Sequence, residues 1–427
     1  MMILAVACLA ASGCRPSAPP APAPEPEPPA LSESPEKIQQ LEDAGYVFVR
    51  DESQENQITE LSISSSESIA ETLPWLEGVP FVKVARFTGT GVDDAGMEHI
   101  TELSQLERLD FSDSAISDQV LTYAGQLESL QVLTLRRTAV SDEGLGRITG
   151  LSKLRAIDLR NTNIGDDGMQ YLAQITTLAD IQLEKSKVTD VGLVQLAPLN
   201  LSSINFNFCT TIGRPTLAVL GKMSNLQQIQ ANTTKVNDAA MAELKSLTKL
   251  RRLRIGGCDV TGEGLRQVQS NKALTRLELR ESSADDLAMD VLASMSTVSH
   301  LDLSECRLAS AEGLAKLGAL TDLTYLGLWE TKTNDETLAA YGNLTKLREL
   351  NLKATSVGDD SLPFLLKMVS LEVLNVAGTL LTDDSFAAIA KLPKLRVLNV
   401  ANTDIGYDLI DELIETYPNL EVVEFEN

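Results

Sequence analysis

The chain has 427 residues, and its 60 acidic against 36 basic side chains give a formal net charge of −24. Phosphate backbones repel such a surface, which argues against general nucleic-acid binding. Aromatic residues make up only 4% and there are two histidines, and with no Gly-rich phosphate loop, nucleophile elbow or paired metal motif the sequence points away from an enzyme, a metal site or a cofactor.

The first segment, 1–14, is an apolar run from Met1 to Ala11 followed by Ala11-Ser12-Gly13-Cys14. It is too short to span a bilayer and reads as a cleaved export signal. Small residues before a cysteine resemble the bacterial lipoprotein signal, and that resemblance implies lipidation at Cys14. Residues 15–33 are mostly Pro, Ala and Glu, a composition that cannot bury a core and favours an extended tether. Residues 34–57 read as a helix and strand that cap the N-terminal end of the folded part. Ser34-Pro35-Glu36 opens the helix, Gly45 closes it, and Tyr46-Val47-Phe48-Val49 has strand composition.

From there one pattern repeats with a period of 24 residues. A degenerate copy occupies 58–81, with Ile58, Leu61 and Ile63. Fourteen full copies fill 82–419, starting at Val82, Leu106, Leu130, Leu154, Leu178, Leu201, Leu226, Leu250, Leu274, Val298, Leu323, Leu347, Leu371 and Leu395. A closing strand at 420–427 begins another copy with Leu420, Val423 and Phe425. A fixed period of this length means a solenoid in which each unit buries its apolar side only against its neighbours.

Counting each first residue as zero, apolar residues at +3 and +5 have strand period, and those near +15 and +18 suit a short helix or 3₁₀ turn. The expected fold is therefore α/β: a right-handed horseshoe with a parallel concave sheet and short convex helices. Position +8 is always Thr, Ser or Cys, which predicts a ladder of donors to buried carbonyls where the chain leaves the strand. Cys209, Cys258 and Cys306 share that slot without CxxC spacing, so buried, inert thiols are expected. Asp recurs at +12 in ten copies and predicts an N-cap for the helix that it opens. A calcium ladder would require several oxygens at each ion, whereas one Asp recurs per copy.

The pattern resembles the leucine-rich repeat family from Ile58 to Phe425. Thr-x-Val-Ser-Asp-x-Gly-Leu at 138–145 looks like the repeats of bacterial, planctomycete-type exported lipoproteins. The units carrying Cys258 and Cys306 are similar to the cysteine-containing subtype of F-box proteins. No F-box-like helical module precedes the repeats, so a ubiquitin-ligase role is not expected. The resemblance implies a binding scaffold and names no partner.

The register assigns +1, +2, +4, +6 and +7 to the concave face. Those seventy positions hold sixteen basic and thirteen acidic residues, a balance of +3 on a chain of −24. Two clusters stand out. One is Arg136, Arg137, Arg155 and Arg160. The other joins Arg251, Arg252, Arg254, Arg276, Arg280, His300, Tyr325, Trp329, Arg348 and Lys353, with Trp329 expected to face the concave solvent. Arg with aromatic residues is the usual composition of a binding hot spot. Glu278, Glu281, Asp302, Glu330 and Glu349 interleave, so cross-strand ion pairs neutralising the second cluster are the competing reading. The expectation is an exported, lipid-anchored, monomeric scaffold that binds an anionic or mixed-charge protein on its concave face and meets the membrane through the lipid alone. The alternatives are a structural cell-envelope component and a glycan-binding surface protein using Trp329 and Tyr325.

Overall fold

The computed structural model describes residues 31–53 and 55–425. The export signal, Cys14 and the tether up to residue 30 lie outside the described residues.

One sheet of seventeen strands, β1 to β17, runs the length of the chain. Each of the fourteen repeats supplies one short strand, from β3 (Val84–Thr88) to β16 (Val397–Asn399), and every strand pairs in parallel with the next. The register aligns equivalent positions, as in Leu253↔Leu277 and Leu277↔Leu301. Side chains at +3 and +5, such as Leu133, Leu135, Ile157 and Leu159, are buried in one continuous core. The convex side is built from α-helices of four to ten residues and 3₁₀ turns. This is the α/β horseshoe that the periodicity predicts. Among the described residues no helix is long and apolar enough to cross a membrane.

At the N-terminal end, helix α1 (Pro35–Asp43) leads through Gly45, at φ +89°, into β1 (Val47–Asp51), which lies antiparallel to β2 (Gln57–Ser64). Ile58, Leu61 and Ile63 are buried beneath β2. At the other end β17 (Glu421–Val423) pairs with β16. Leu420 is buried there, while Phe425, the third apolar residue of that partial copy, is 74% exposed. It lies past the end of β17 and beyond the cover of the helix Tyr407–Thr416.

The turn out of each strand has one construction. All fourteen +7 residues have positive φ, from 51° at Glu330 and Ala354 to 97° at Gly89, although only Gly89, Gly257 and Gly378 are glycine. Three kinds of hydrogen bond hold this left-handed turn. Hydroxyls at +8 donate to the +5 carbonyl, as Thr138 Oγ1 does to Leu135 at 2.6 Å and Thr355 Oγ1 to Leu352 at 2.6 Å. The Cys258 and Cys306 thiols donate backwards instead, each at 3.2 Å, to the +5 carbonyl of the preceding repeat. At +4, Asp110, Asp158, Asn205, Asp302, Asn351, Asn375 and Asn399 accept the backbone N–H two residues on. Burial raises the pKa of all three thiols, that of Cys306 to about 11, so they stay protonated near neutral pH.

The +12 aspartates do something other than cap their own helices. Nine of the ten are the first residue of their helix or 3₁₀ turn, Asp94 stands three residues before its own, and each carboxylate reaches forward to the next repeat. Asp118 accepts from Ser141 N at 2.7 Å and Ser141 Oγ at 2.5 Å, and Asp166 accepts from Thr189 N at 2.7 Å and Thr189 Oγ1 at 2.6 Å. All ten make the bond to the backbone amide. Close approach is the reason. A Cβ on Gly144, Gly168, Gly192, Gly264 or Gly313 would sit 2.2–2.6 Å from the preceding repeat's Asp Oδ1. The carboxylate therefore fills the space that the glycine leaves, and an N-cap becomes an interlock between units.

The last repeat begins its helix with Tyr407 and lacks the carboxylate, and so do three inner repeats, in which Arg214, Gly262 or Ala311 stands first. After each of these three the following repeat caps itself: Asn237 accepts from Ala240 N, Asp285 from Ala288 N and Asn334 from Thr337 N. No buried helix start is left without an acceptor at these joints.

Candidate functional site

The concave face centres on β10 (Arg252–Arg254), β11 (Arg276–Glu278), β12 (His300–Asp302), β13 (Tyr325–Gly327) and β14 (Glu349–Asn351). Parallel pairing in register puts Arg252 beside Arg276, Arg276 beside His300, and His300 beside Tyr325. Adjacent strands lie about 4.8 Å apart, so these side chains form one row.

Glu278 is the centre of the second cluster. It is 7% exposed, and three arginines converge on it. Arg276 Nε donates to Oε1 at 2.6 Å, Arg252 Nη2 donates to Oε1 at 2.9 Å, and Arg254 Nε lies 2.5 Å from Oε2. The Arg254 contact is close but its N–H does not align on the oxygen, and the Nε atoms of Arg252 and Arg254 are both buried without a hydrogen-bond acceptor. Burial pushes the Glu278 carboxyl up; the hydrogen bond from Arg276 and the charges of Arg254 and Arg252 outweigh it and hold the group below the usual carboxylate range. One carboxylate against three guanidiniums leaves two positive charges uncompensated.

Two aromatic side chains border the cluster. His300 and Tyr325 stack with ring centroids 3.9 Å apart and planes 11° from parallel. Burial first, then the charge of Arg276, lowers the His300 pKa to about 4, so the ring is neutral at pH 7. Burial, followed by the charges of Asp302 and Glu349, raises Tyr325 to about 12. The folded His300 pKa lies below its ordinary value of about 6.5. The unfolded chain therefore takes up a proton as pH falls between those two values and the folded chain does not, so this residue's contribution to stability is lost as pH falls through that window. Proton NMR of the two histidines, assigned with His300→Gln, is expected to place the His300 titration near 4. An ordinary value near 6.5 would show that neither burial nor a positive field acts on the ring.

The remaining members are held elsewhere. Arg280 donates through Nε and Nη2 to Glu305 at 2.8 and 2.5 Å, and its guanidinium carbon lies 4.5 Å from the Trp329 ring centroid. Lys353 Nζ lies 5.1 Å from the same centroid. Trp329 is half-buried between them, with its Nε1 buried and without an acceptor. The tryptophan thus meets the concave solvent less openly than its position predicts, because Arg280 reaches it across the small Ser304. Arg348 lies 3.6 Å from Glu372. Arg251 is exposed and makes no ion pair among the described residues.

Both readings of the cluster are thus partly visible. Glu278 pairs as the competing reading predicts, whereas Glu330 pairs with Arg307 outside the cluster and Asp302 accepts a turn amide. Two hollows remain. One of about 520 Å³ is lined by Arg254, Arg276, His300, Tyr325 and Arg348 among others. The other, about 390 Å³, lies over Gly256 and Gly257 and is walled by Phe208 and Arg280. Phe208, 44% exposed, is a +7 residue of the concave face that belongs to neither basic cluster, because its own repeat carries no charge on that face. A sequence signal for this hollow was available: in no repeat but that of Gly256 and Gly257 are both +6 and +7 glycine.

The first cluster is divided. Arg160 makes a bidentate pair with Asp158 at 2.6–3.0 Å and Arg137 pairs with Asp113 at 2.8 Å. The hydrogen bonds that Arg160 donates to Asp158 raise its pKa further. Arg136 and Arg155 make no ion pair among the described residues.

Residues 61–311 match a family model described as a leucine-rich repeat region. Among solved structures, a leucine-rich repeat protein of Leptospira interrogans is 16% identical, covers 83% of this chain and 92% of its own, and aligns with a TM-score of 0.56. An internalin (inlF) of Listeria monocytogenes is 18% identical over 92% of this chain and 94% of that one, with a TM-score of 0.46. A plant peptide hormone receptor, RGFR1 in complex with RGF2, is 16% identical over 86% of this chain and 66% of that one, with a TM-score of 0.45. Comparison with curated proteins finds no match. The likeness to the Leptospira protein is one of fold.

Proposed function

Because this chain belongs to the leucine-rich repeat family, we propose that it acts as a non-catalytic protein-binding scaffold at the cell envelope, holding its partner on the concave sheet. The observation that carries this reading is the separation of roles within each repeat. Recurrent residues are spent on the core, the turn and the interlock, while the side chains that differ between repeats lie on the open sheet face. Export and anchoring rest on the sequence of 1–14, with Cys14 as the lipid site.

A photo-crosslinker at the exposed Gln228, introduced into the full chain in its native cell, is expected to capture one predominant protein. Recovery of only further copies of this chain would favour a structural envelope role instead. Cys14→Ala is expected to shift the protein out of the membrane fraction without changing its melting temperature; retention there would remove the lipid anchor from the reading. A glycan platform is less favoured, because Arg280 and Lys353 already occupy positions over the Trp329 ring.

A further inference from the structure

We infer that strands β8 (Ser203–Asn205) to β11 form a subsite for an extended acidic polypeptide segment, the arginines taking its carboxylates and the glutamines its backbone. The inference rests on the concave-face reading of the function and narrows it to four strands.

Charge is the first observation. At +1, +2 and +4 of the repeats starting at Leu250 and Leu274 stand Arg251, Arg252, Arg254 and Arg276 against Glu278, so four positive and one negative charge leave +3. The same positions of the two preceding repeats carry no charge at all: Ser202, Ser203, Asn205, Gln227, Gln228 and Gln230. The positive potential is therefore uncancelled on that side, on a chain whose total is −24. The depressed pKa of His300, caused first by burial and then by the charge of Arg276, agrees with that field.

Geometry is the second. Glu278 holds Arg252, Arg254 and Arg276 in a fixed fan, and half-buried guanidiniums fixed in advance lose little freedom on meeting a second carboxylate. Arg251 stands exposed beside them. The Gln227 and Gln228 side chains make no hydrogen bond among the described residues, and each amide offers a donor and an acceptor, the pairing that a peptide backbone presents. A polysaccharide with carboxylates would satisfy the arginines but not this alternation. Arg280, Lys353 and Arg348 are left out, since Glu305, Trp329 and Glu372 respectively engage them.

The test is fluorescence anisotropy of the full chain with a short synthetic peptide alternating Glu and Ser, a Lys–Ser control peptide, and alginate as competitor. Saturable binding of the Glu peptide alone is expected, weakening as salt screens it. Arg251→Gln with Arg276→Gln is expected to lower its affinity about tenfold, and Glu278→Gln to raise it about threefold or more, with melting temperature confirming that each variant folds. Equal binding of the Lys peptide, no binding of the Glu peptide, stronger competition by alginate than by unlabelled peptide, or indifference to all three substitutions would each overturn the inference. Capture of a cellular partner from Gln228 that survives the arginine substitutions would overturn it too, while leaving the scaffold reading intact. Absence of any captured partner, with the peptide results as expected, would instead sink the scaffold reading alone.

Discussion

Leu159→Ala is expected to lower stability by about 2–5 kcal/mol and to divide a single denaturant transition into two. Leu159 is completely buried at the +5 position, where it packs between the units before and after it. Truncation leaves a cavity that neighbours close only partly. In a quasi-one-dimensional stack, that loss falls on two interfaces and not on the whole molecule, so the repeats on the C-terminal side can persist when those around residue 159 have opened. Circular dichroism during urea titration checks this. A single unshifted transition would show that the unit-to-unit coupling is misplaced.

Gly144→Ala is expected to cost about 1–3 kcal/mol, more than the roughly 1 kcal/mol that alanine gains over glycine inside a helix. Its new Cβ would lie 2.2 Å from Asp118 Oδ1 and 2.9 Å from a Leu121 methyl group. Asp118→Ala alone removes the acceptor for Ser141 N and Oγ and is expected to cost about 1–3 kcal/mol by leaving a part-buried amide unmet. Combined, the two changes are expected to cost less than their sum by about 1 kcal/mol or more, because the added methyl then enters the space that the carboxylate vacated. Strict additivity in thermal or chemical unfolding would mean that the carboxylate and the glycine do not share that space.

The fold was legible because periodicity reports burial directly. Leu133, Leu135, Ile157 and Leu159 are apolar for the reason that they are buried, and no long-range fact is needed to read them. The +12 aspartates were legible as acceptors at helix starts but not as to which helix. The deciding contact, from Asp118 to Ser141 and against Gly144, spans a unit boundary that a one-repeat reading cannot see. The candidate site was readable as a roster and not as a set of pairings. Arg280 and Arg276 look equivalent in sequence, yet one is fixed on Glu305 and Trp329 while the other shares Glu278. Side-chain reach across one or two strands decides such choices, and register alone does not contain it. The +7 position shows the same limit: Phe208, Arg137 and Glu281 look like free surface choices but all occupy a left-handed turn.

The forward direction of the aspartate interlock has a consequence for how such a chain can grow or shrink. The forward bond of a +12 aspartate is missing at the joints before Asn237, Asp285 and Asn334, each of which caps its own helix, although Asp285 also reaches back to Gly262 N at 3.0 Å. The stretches between them, 237–284 and 285–333, are 48 and 49 residues long, two repeats each. Removing 237–284 would join the helix begun by Arg214 to the self-capping Asp285. Removing one repeat, 237–260, would instead set Thr261 against that same helix and take away Asp238, which now holds the Thr261 amide at 2.8 Å. Over this stretch of the molecule the aspartate interlock therefore has a period of two repeats, although the eye counts single ones.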